Sequence, residues 1–403
     1  MENLDQVINR RGTDCVKWDT VPEGVIPMWV ADMDFEVAPC IQRAIRQRAE
    51  HGVFGYTAVP QRYYETVCNW FATYHGWRPD PSWIIYTIGV VPAISACIEA
   101  FTRPGDKVIL MSPVYNCFFS SVRNYGCKLS DVPLRTETAG GRPRYVIDFE
   151  ALERAAADPA ARVMLICSPH NPAGRLWSRD ELERIGRICL AHDVIPVVDE
   201  IHCEFVPEGG LRFVPFASID KEFERRCVIL GSASKAFNIA GLQISNIICA
   251  DPDMRAKIDK AVNVNEICDV NPFGVVALQA AYSAEGHAWL EALNRRIRAN
   301  YDRVEERFTG ELPELPLYLM EATYLAWVDV KALCYAPDGS LRISSKQIED
   351  SLTATEKVRL NNGAMYGSEG FLRINLACPP ALLEEGLDRT VRGLRRLLDQ
   401  YGG

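Results

Sequence analysis

The chain has 403 residues, 48% of them hydrophobic and 24% charged, with a formal net charge of −9. That is ordinary globular composition, with enough chain for more than one hydrophobic core. The acidic balance and the lack of a Lys/Arg-rich tract argue against nucleic acid or an anionic membrane as partner, and no apolar run approaches the roughly 20 residues that span a bilayer.

Fourteen cysteines without a CxxC pair read as small reduced core residues, so neither disulfides nor a metal site is expected. The polar start, Met1-Glu2-Asn3-Leu4-Asp5, carries no signal-peptide pattern, and a cytoplasmic location is expected.

Residues 1–45 do not fit the pattern that follows. They are expected to pack with a smaller C-terminal domain, 286–403, leaving 46–285 as the large domain. From about Trp83 to Leu290 short apolar runs alternate with amphipathic stretches. This alternation predicts an α/β fold, a mostly parallel sheet with helices on both faces.

In chain order, Gly89-Val90-Val91-Pro92 opens a helix running to Phe101, with Pro92 in its first turn. Free backbone N–H groups at such a helix start make an anion site. The strand Lys107–Met111 runs into Ser112-Pro113-Val114-Tyr115, where an aromatic ring can stack on a planar ligand. The strand Arg162–Cys167 leads to Ser168-Pro169-His170-Asn171-Pro172-Ala173-Gly174. Two X-Pro bonds and a glycine fix that turn, can be cis, and can position Asn171 as a donor.

Ser178–His192 has apolar Leu182, Ile185 and Cys189 at helical spacing behind a Ser178/Glu181 capping box. The strand Val194–Asp199 ends in a carboxylate that needs a cationic or hydrogen-bonded partner once buried, followed by Glu200-Ile201-His202. The strand Cys227–Gly231 ends in Ser232-Ala233-Ser234-Lys235. Small hydroxyl residues before a lysine suit a Schiff base, with the hydroxyls near a phosphate.

The last third changes character. Helical stretches at Trp289–Phe308 and Ala381–Gln400 flank strand-like Tyr324–Val330 and Phe371–Leu376. Arg373 lies inside the second apolar strand, where a guanidinium fork can take a carboxylate bidentately.

Each segment alone has a plainer reading. Lys235 can be a solvated strand end, Asp199 a capping or ion-paired group, Asn171 a turn residue, Tyr115 a core ring and Arg373 half of a structural ion pair. Their order along the chain is the stronger signal. In a parallel sheet, ligand loops sit at the carboxyl ends of strands, and four of these segments fall there.

Together the motifs resemble the fold-type I pyridoxal-phosphate (PLP) enzymes, the class I/II aminotransferase superfamily. Within it the chain looks most like the cystathionine β-lyase / C–S lyase branch of the MalY/PatB type. The likeness is carried by Ile26-Pro27-Met28-Trp29-Val30-Ala31-Asp32-Met33-Asp34-Phe35, Phe54-Gly55-Tyr56-Thr57, Asp199-Glu200-Ile201-His202, Ser234-Lys235-Ala236-Phe237-Asn238-Ile239-Ala240-Gly241-Leu242-Gln243 and Arg373-Ile374-Asn375-Leu376-Ala377-Cys378-Pro379.

The resemblance implies a large domain with a seven-stranded sheet and a smaller α+β domain. It implies PLP on Lys235, with Asp199 at the ring nitrogen, Asn171 at the 3′-oxygen, Tyr115 on the ring and His202 near the 3′-oxygen side. Lys235, Tyr115 and Asp199 would be the catalytic set. Val90, Val91, Ser232 and Ser234 would meet the phosphate, joined by Tyr56 from a second subunit of a homodimer. Arg373 would clamp the α-carboxylate of a small amino-acid substrate, with Trp29, Ala31, Asp32 and Tyr366 around it.

Two departures stand out. Gln243 occupies the place where many aminotransferases of this fold carry a phosphate-binding arginine, which favours the lyase branch. Ala236 stands where a hydroxyl residue often follows the lysine. The implied reaction is β-elimination from L-cystathionine or another L-cysteine S-conjugate, giving a thiol, pyruvate and ammonia. The alternatives are an aminotransferase and, from another class, a PLP-binding regulator without turnover. The short stretch before the family-like region, lacking a basic recognition helix, and the intact Lys235 count against the regulator.

Overall fold

The computed structural model describes residues 4–206, 211–264 and 270–401. Its centre is a seven-stranded sheet. The strands run in spatial order Ile84–Thr87, Ser245–Ile248, Val228–Gly231, Ile195–Asp199, Ala161–Cys167, Lys107–Leu110 and Lys128–Asp131. Only Ser245–Ile248 runs against its neighbours; the remaining contacts are parallel.

The inner strands read as continuous apolar runs because both of their faces are covered. Val163, Leu165, Val197, Val228 and Leu230 pack on the helix Val90–Phe101. Met164, Ile166, Val198 and Ile229 point into the other, larger core. The polar edge strand Lys128–Asp131 escaped the apolar pattern because it is mostly exposed. Such charged, short edges resist pairing with a second chain.

The expected helix at 178–192 forms as Arg179–Ala191, and both bonds of the Ser178/Glu181 capping box are present. Both X-Pro bonds around Asn171 are cis, as is Ser112-Pro113.

Two long helices, Ala284–Glu311 and Pro380–Tyr401, and the antiparallel pair Leu325–Asp329 with Phe371–Asn375 build the C-terminal part. The N-terminal segment threads through it. Ile26–Pro27 pairs in parallel with Val358–Arg359. The amide of Asn375 holds the carbonyls of Val30 and Asp32. The helix Pro39–Glu50 then packs on Pro272–Ala281 beside the large sheet. Among the described residues no helix is long and apolar enough to cross a membrane.

A buried ion cluster locks this N-terminal strap. Lys17 Nζ meets Asp34 at 2.6 Å, with both side chains almost fully buried. Arg10 and the Trp18 indole N–H also donate to Asp34. Breaking a buried pair by removing one member strands the other charge and costs about 3–5 kcal/mol. Asp34→Ala should therefore lower the urea midpoint far more than any exposed ion pair, whose loss is worth about 1 kcal/mol or less. An unchanged midpoint would rule the lock out.

Candidate active site

The loops after five strands of the large sheet converge on one cavity of about 410 Å³. Gly89, Val90 and Val91 come from the first, Tyr115 from the second and Asn171 from the third. Asp199 and His202 come from the fourth, and Ser234 and Lys235 from the fifth. The C-terminal part closes the other side with Asn361, Met365, Tyr366 and Arg373, and the N-terminal strap with Trp29, Val30 and Ala31.

Lys235 lies in the short helix Ala233–Ala236 directly after its strand. Its Nζ donates to the Ala31 carbonyl at 2.6 Å. Burial pulls its pKa below the ordinary lysine range; Asp32 opposes this and Arg373 reinforces it. The result is an amine biased toward its neutral, nucleophilic form.

Asp199 is 4% exposed. Its carboxylate accepts from the Ile201 N–H at 3.1 Å. Burial pushes its pKa up to about 7, against the pull of that N–H and of Lys235. A buried carboxylate in this state accommodates a cation set directly on it.

Arg373 is buried and held from two sides. One nitrogen donates to Asn171 Oδ1 at 3.0 Å and another to the Trp29 carbonyl at 2.8 Å. Its guanidinium lies 4.8 Å from the Tyr366 ring centroid, and its Nε has no partner. A buried guanidinium that lines a cavity and has no carboxylate partner among the described residues is an anion receptor.

At the mouth of the Val90–Phe101 helix, Gly89 is extended and the Ala93 N–H returns to the Gly89 carbonyl at 3.1 Å. The Val90 and Val91 N–H groups are left at the helix start, and Pro92 has none, so this end suits an anion. His202 lines the cavity with Nδ1 unpartnered. Burial, with Lys235 and Arg373 adding, drops its pKa to about 3, so the imidazole is neutral.

The remaining expected residues divide. Tyr115 and Tyr366 line the cavity. The Tyr366 hydroxyl accepts from Asn361 Nδ2 at 2.9 Å, and burial raises the pKa of both phenols. Ser232 turns away: its hydroxyl donates to the Ile244 carbonyl at 2.5 Å and caps the Ser234 N–H at 3.0 Å. Asp32 spends its carboxylate on Arg10, at 2.6 and 3.0 Å. Tyr56 is 97% exposed and lines nothing in its own chain's cavity.

Sequence reasoning missed Asn361 and Asn375, whose amides hold the carbonyls of Trp29, Val30 and Asp32. It also missed His170, which binds the Pro113 carbonyl at 2.7 Å and so ties two of the loops together. No local pattern marks an asparagine whose partner is a distant backbone carbonyl.

The donor set fits one elongated ligand with an anionic end at Val90 and Val91, a cationic ring atom at Asp199 and a carbonyl at Lys235. Pyridoxal phosphate has these three features. The buried Asp199, with no ion pair among the described residues, is the observation that supports the fit.

The chain belongs to the aminotransferase class I and II family, whose model matches residues 23–389. Within that class it is 39% identical to cystathionine beta-lyase PatB of Bacillus subtilis, over 97% of this chain and 100% of that protein. It is 30% identical to the protein MalY of Escherichia coli, over 98% and 99% of the two chains. Among solved structures, cystalysin from Treponema denticola, which contains a pyridoxal 5'-phosphate cofactor, superposes with a TM-score of 0.91 at 33% identity, covering 98% and 100%. The PLP-bound C–S lyase from Staphylococcus hominis gives 0.88 at 30% identity, covering 97% and 98%.

The carboxyl of Asp199 yields a pH test on cofactor-free protein. A group whose folded pKa lies above its unfolded value takes up protons on folding. Its share of stability is full below the ordinary value of 3.8 and is lost as pH rises to about 7. Asp199→Asn removes that slope, and Glu200, whose pKa Asp199 helps to raise, loses part of its own slope in the same direction, while His170 and His202 titrate in both proteins. The stability difference between variant and wild type should therefore widen in favour of the variant across this window, read from denaturant midpoints. A constant difference would show that Asp199 titrates normally.

Proposed function

We propose that this chain is a PLP-dependent C–S β-lyase that cleaves L-cystathionine or related L-cysteine S-conjugates to a thiol, pyruvate and ammonia. The observation that carries the reading is the joint placement of Lys235, Asp199 and Arg373 around one cavity. Its similarity to cystathionine β-lyase and C–S lyase relatives over nearly the whole chain supports the same reaction.

PLP, when bound, supplies an electron sink for the pair left at the substrate Cα. The protein does the rest. Asp199 would hold positive charge at the ring nitrogen, and Asn171 Nδ2 would donate to the 3′-oxygen while its Oδ1 serves Arg373. Arg373 receives the α-carboxylate, fixing which Cα bond faces Lys235. The Nζ of Lys235, placed on the Ala31 carbonyl and biased by burial toward its unprotonated form, would take the Cα proton. The thiolate then leaves Cβ, and water converts the released enamine to pyruvate and ammonia. The neutral His202 adds no charge beside the cofactor.

Tyr56 reaches a phosphate only in the site of a second subunit, and an obligate homodimer completes both sites. Its near-total exposure, beside exposed Val53 and Phe54, supports that arrangement. The free cysteines fit a reducing, cytoplasmic setting.

Purified protein given L-cystathionine without any 2-oxo acid should release pyruvate and thiol continuously, with the bound-cofactor absorbance intact. A single turnover that bleaches the cofactor, reversed by a 2-oxo acid, would make it an aminotransferase instead. Lys235→Ala should lose at least about a thousandfold in turnover, the scale of a lost general base and nucleophile.

The dimer has its own test. Lys235→Ala and Tyr56→Ala proteins, each impaired, should on mixing and subunit exchange recover about a quarter of the native sites, because half of the dimers are mixed and each has one intact site. No recovery after proven exchange would place Tyr56 outside the partner's site.

A further inference from the structure

The geometry points to Arg359 as the residue that selects conjugates whose leaving thiol carries a carboxylate. This rests on the lyase reading of the same cavity.

Arg359 sits in the extended run that also holds Asn361. Asn361 lines the cavity and pairs in register with Arg373. Residues two apart on an extended run share a face and lie about 7 Å apart. Arg359 is thus the diagonal neighbour of Arg373, about 7–8 Å away, the scale separating an α-carboxylate on Arg373 from a second carboxylate beyond the sulfur.

The Arg359 guanidinium is stacked 4.3 Å from the centroid of Trp29, itself a cavity-lining ring. Stacking holds the planar fork without using its N–H groups. Those groups are unspent. Arg359 makes no side-chain hydrogen bond among the described residues, and its nearest carboxylate, Glu349, stands at 3.9 Å. Glu349 meanwhile accepts from the Asn362 amide at 2.6 Å. The Arg359 side chain is 29% exposed, so an incoming group can reach it.

A half-buried fork stacked on a cavity-lining residue, with donors that make no hydrogen bond among the described residues, is a carboxylate receptor. Arg373 already serves the α-carboxylate, so Arg359 serves the distal one. The preferred substrates are thus cysteine conjugates of anionic thiols rather than of alkyl thiols.

The test compares S-(2-carboxyethyl)-L-cysteine with its near-isostere S-(3-methylbutyl)-L-cysteine on the holoenzyme. The ratio of their kcat/KM values should favour the anion in the wild type and fall about tenfold in Arg359→Gln. Arg359→Glu should invert the preference toward S-(2-aminoethyl)-L-cysteine, which a merely structural role would not do. An unchanged ratio in both variants overturns the assignment, whatever happens to absolute rates. If no conjugate yields pyruvate, the lyase reading fails. The ratio is then taken from dissociation constants, and a retained wild-type preference lost in Arg359→Gln still upholds Arg359.

Discussion

A buried guanidinium must find acceptors, and Arg373 finds them on two segments remote from its own. Asn171 belongs to a turn at the end of a strand in the large sheet, and Trp29 to the N-terminal strap. The arginine's own strand belongs to the C-terminal part. One side chain therefore registers three segments that the chain order keeps far apart. The cavity exists because they meet there, and the arginine has no carboxylate partner among the described residues. Asn361 and Asn375 repeat the device on the carbonyls of Trp29, Val30 and Asp32. A strap pinned this way brings the Ala31 carbonyl to Lys235.

Charge in the cavity is arranged by burial more than by pairing. Lys235 is pulled down, Asp199 up and His202 down, and in each case desolvation is the leading cause. All three thus lean toward neutrality before a ligand arrives. A cationic ring atom and an anionic carboxylate then supply the charges the protein withholds. Pairing alone, such as a Lys235–Asp199 salt bridge, would have fixed both groups in their charged forms and left no neutral amine to move a proton.

Much of this was legible in the amino-acid sequence, for a physical reason. Strands covered on both faces must be apolar throughout, so the runs ending at Cys167, Asp199 and Gly231 announce themselves, and the polar residue after each run is the conspicuous one. Helix starts with capping boxes are equally local. What stayed hidden depends on orientation or on distance. Ser232 and Ser234 look alike in sequence, yet only Ser234 faces the cavity, because Ser232 is consumed in capping the short helix that carries Lys235. The strand Lys128–Asp131 is too polar to stand out at an exposed edge. Asp32 reads as a site residue until Arg10 is seen to hold it.

The division between lyase and aminotransferase then turns on space rather than on catalytic groups. Both reactions need a neutral amine, a charged ring nitrogen and a fixed α-carboxylate, so the residues proposed for those parts cannot distinguish them. A leaving thiol must also have somewhere to extend from Cβ. The cavity provides a direction: from Arg373 along Asn361 toward Trp29, the wall on which Arg359 is stacked. That wall is built from the strap and the C-terminal part, outside the large sheet whose loops carry Lys235 and Asp199. Selectivity for the leaving group can therefore vary there without altering the surroundings of Lys235 and Asp199.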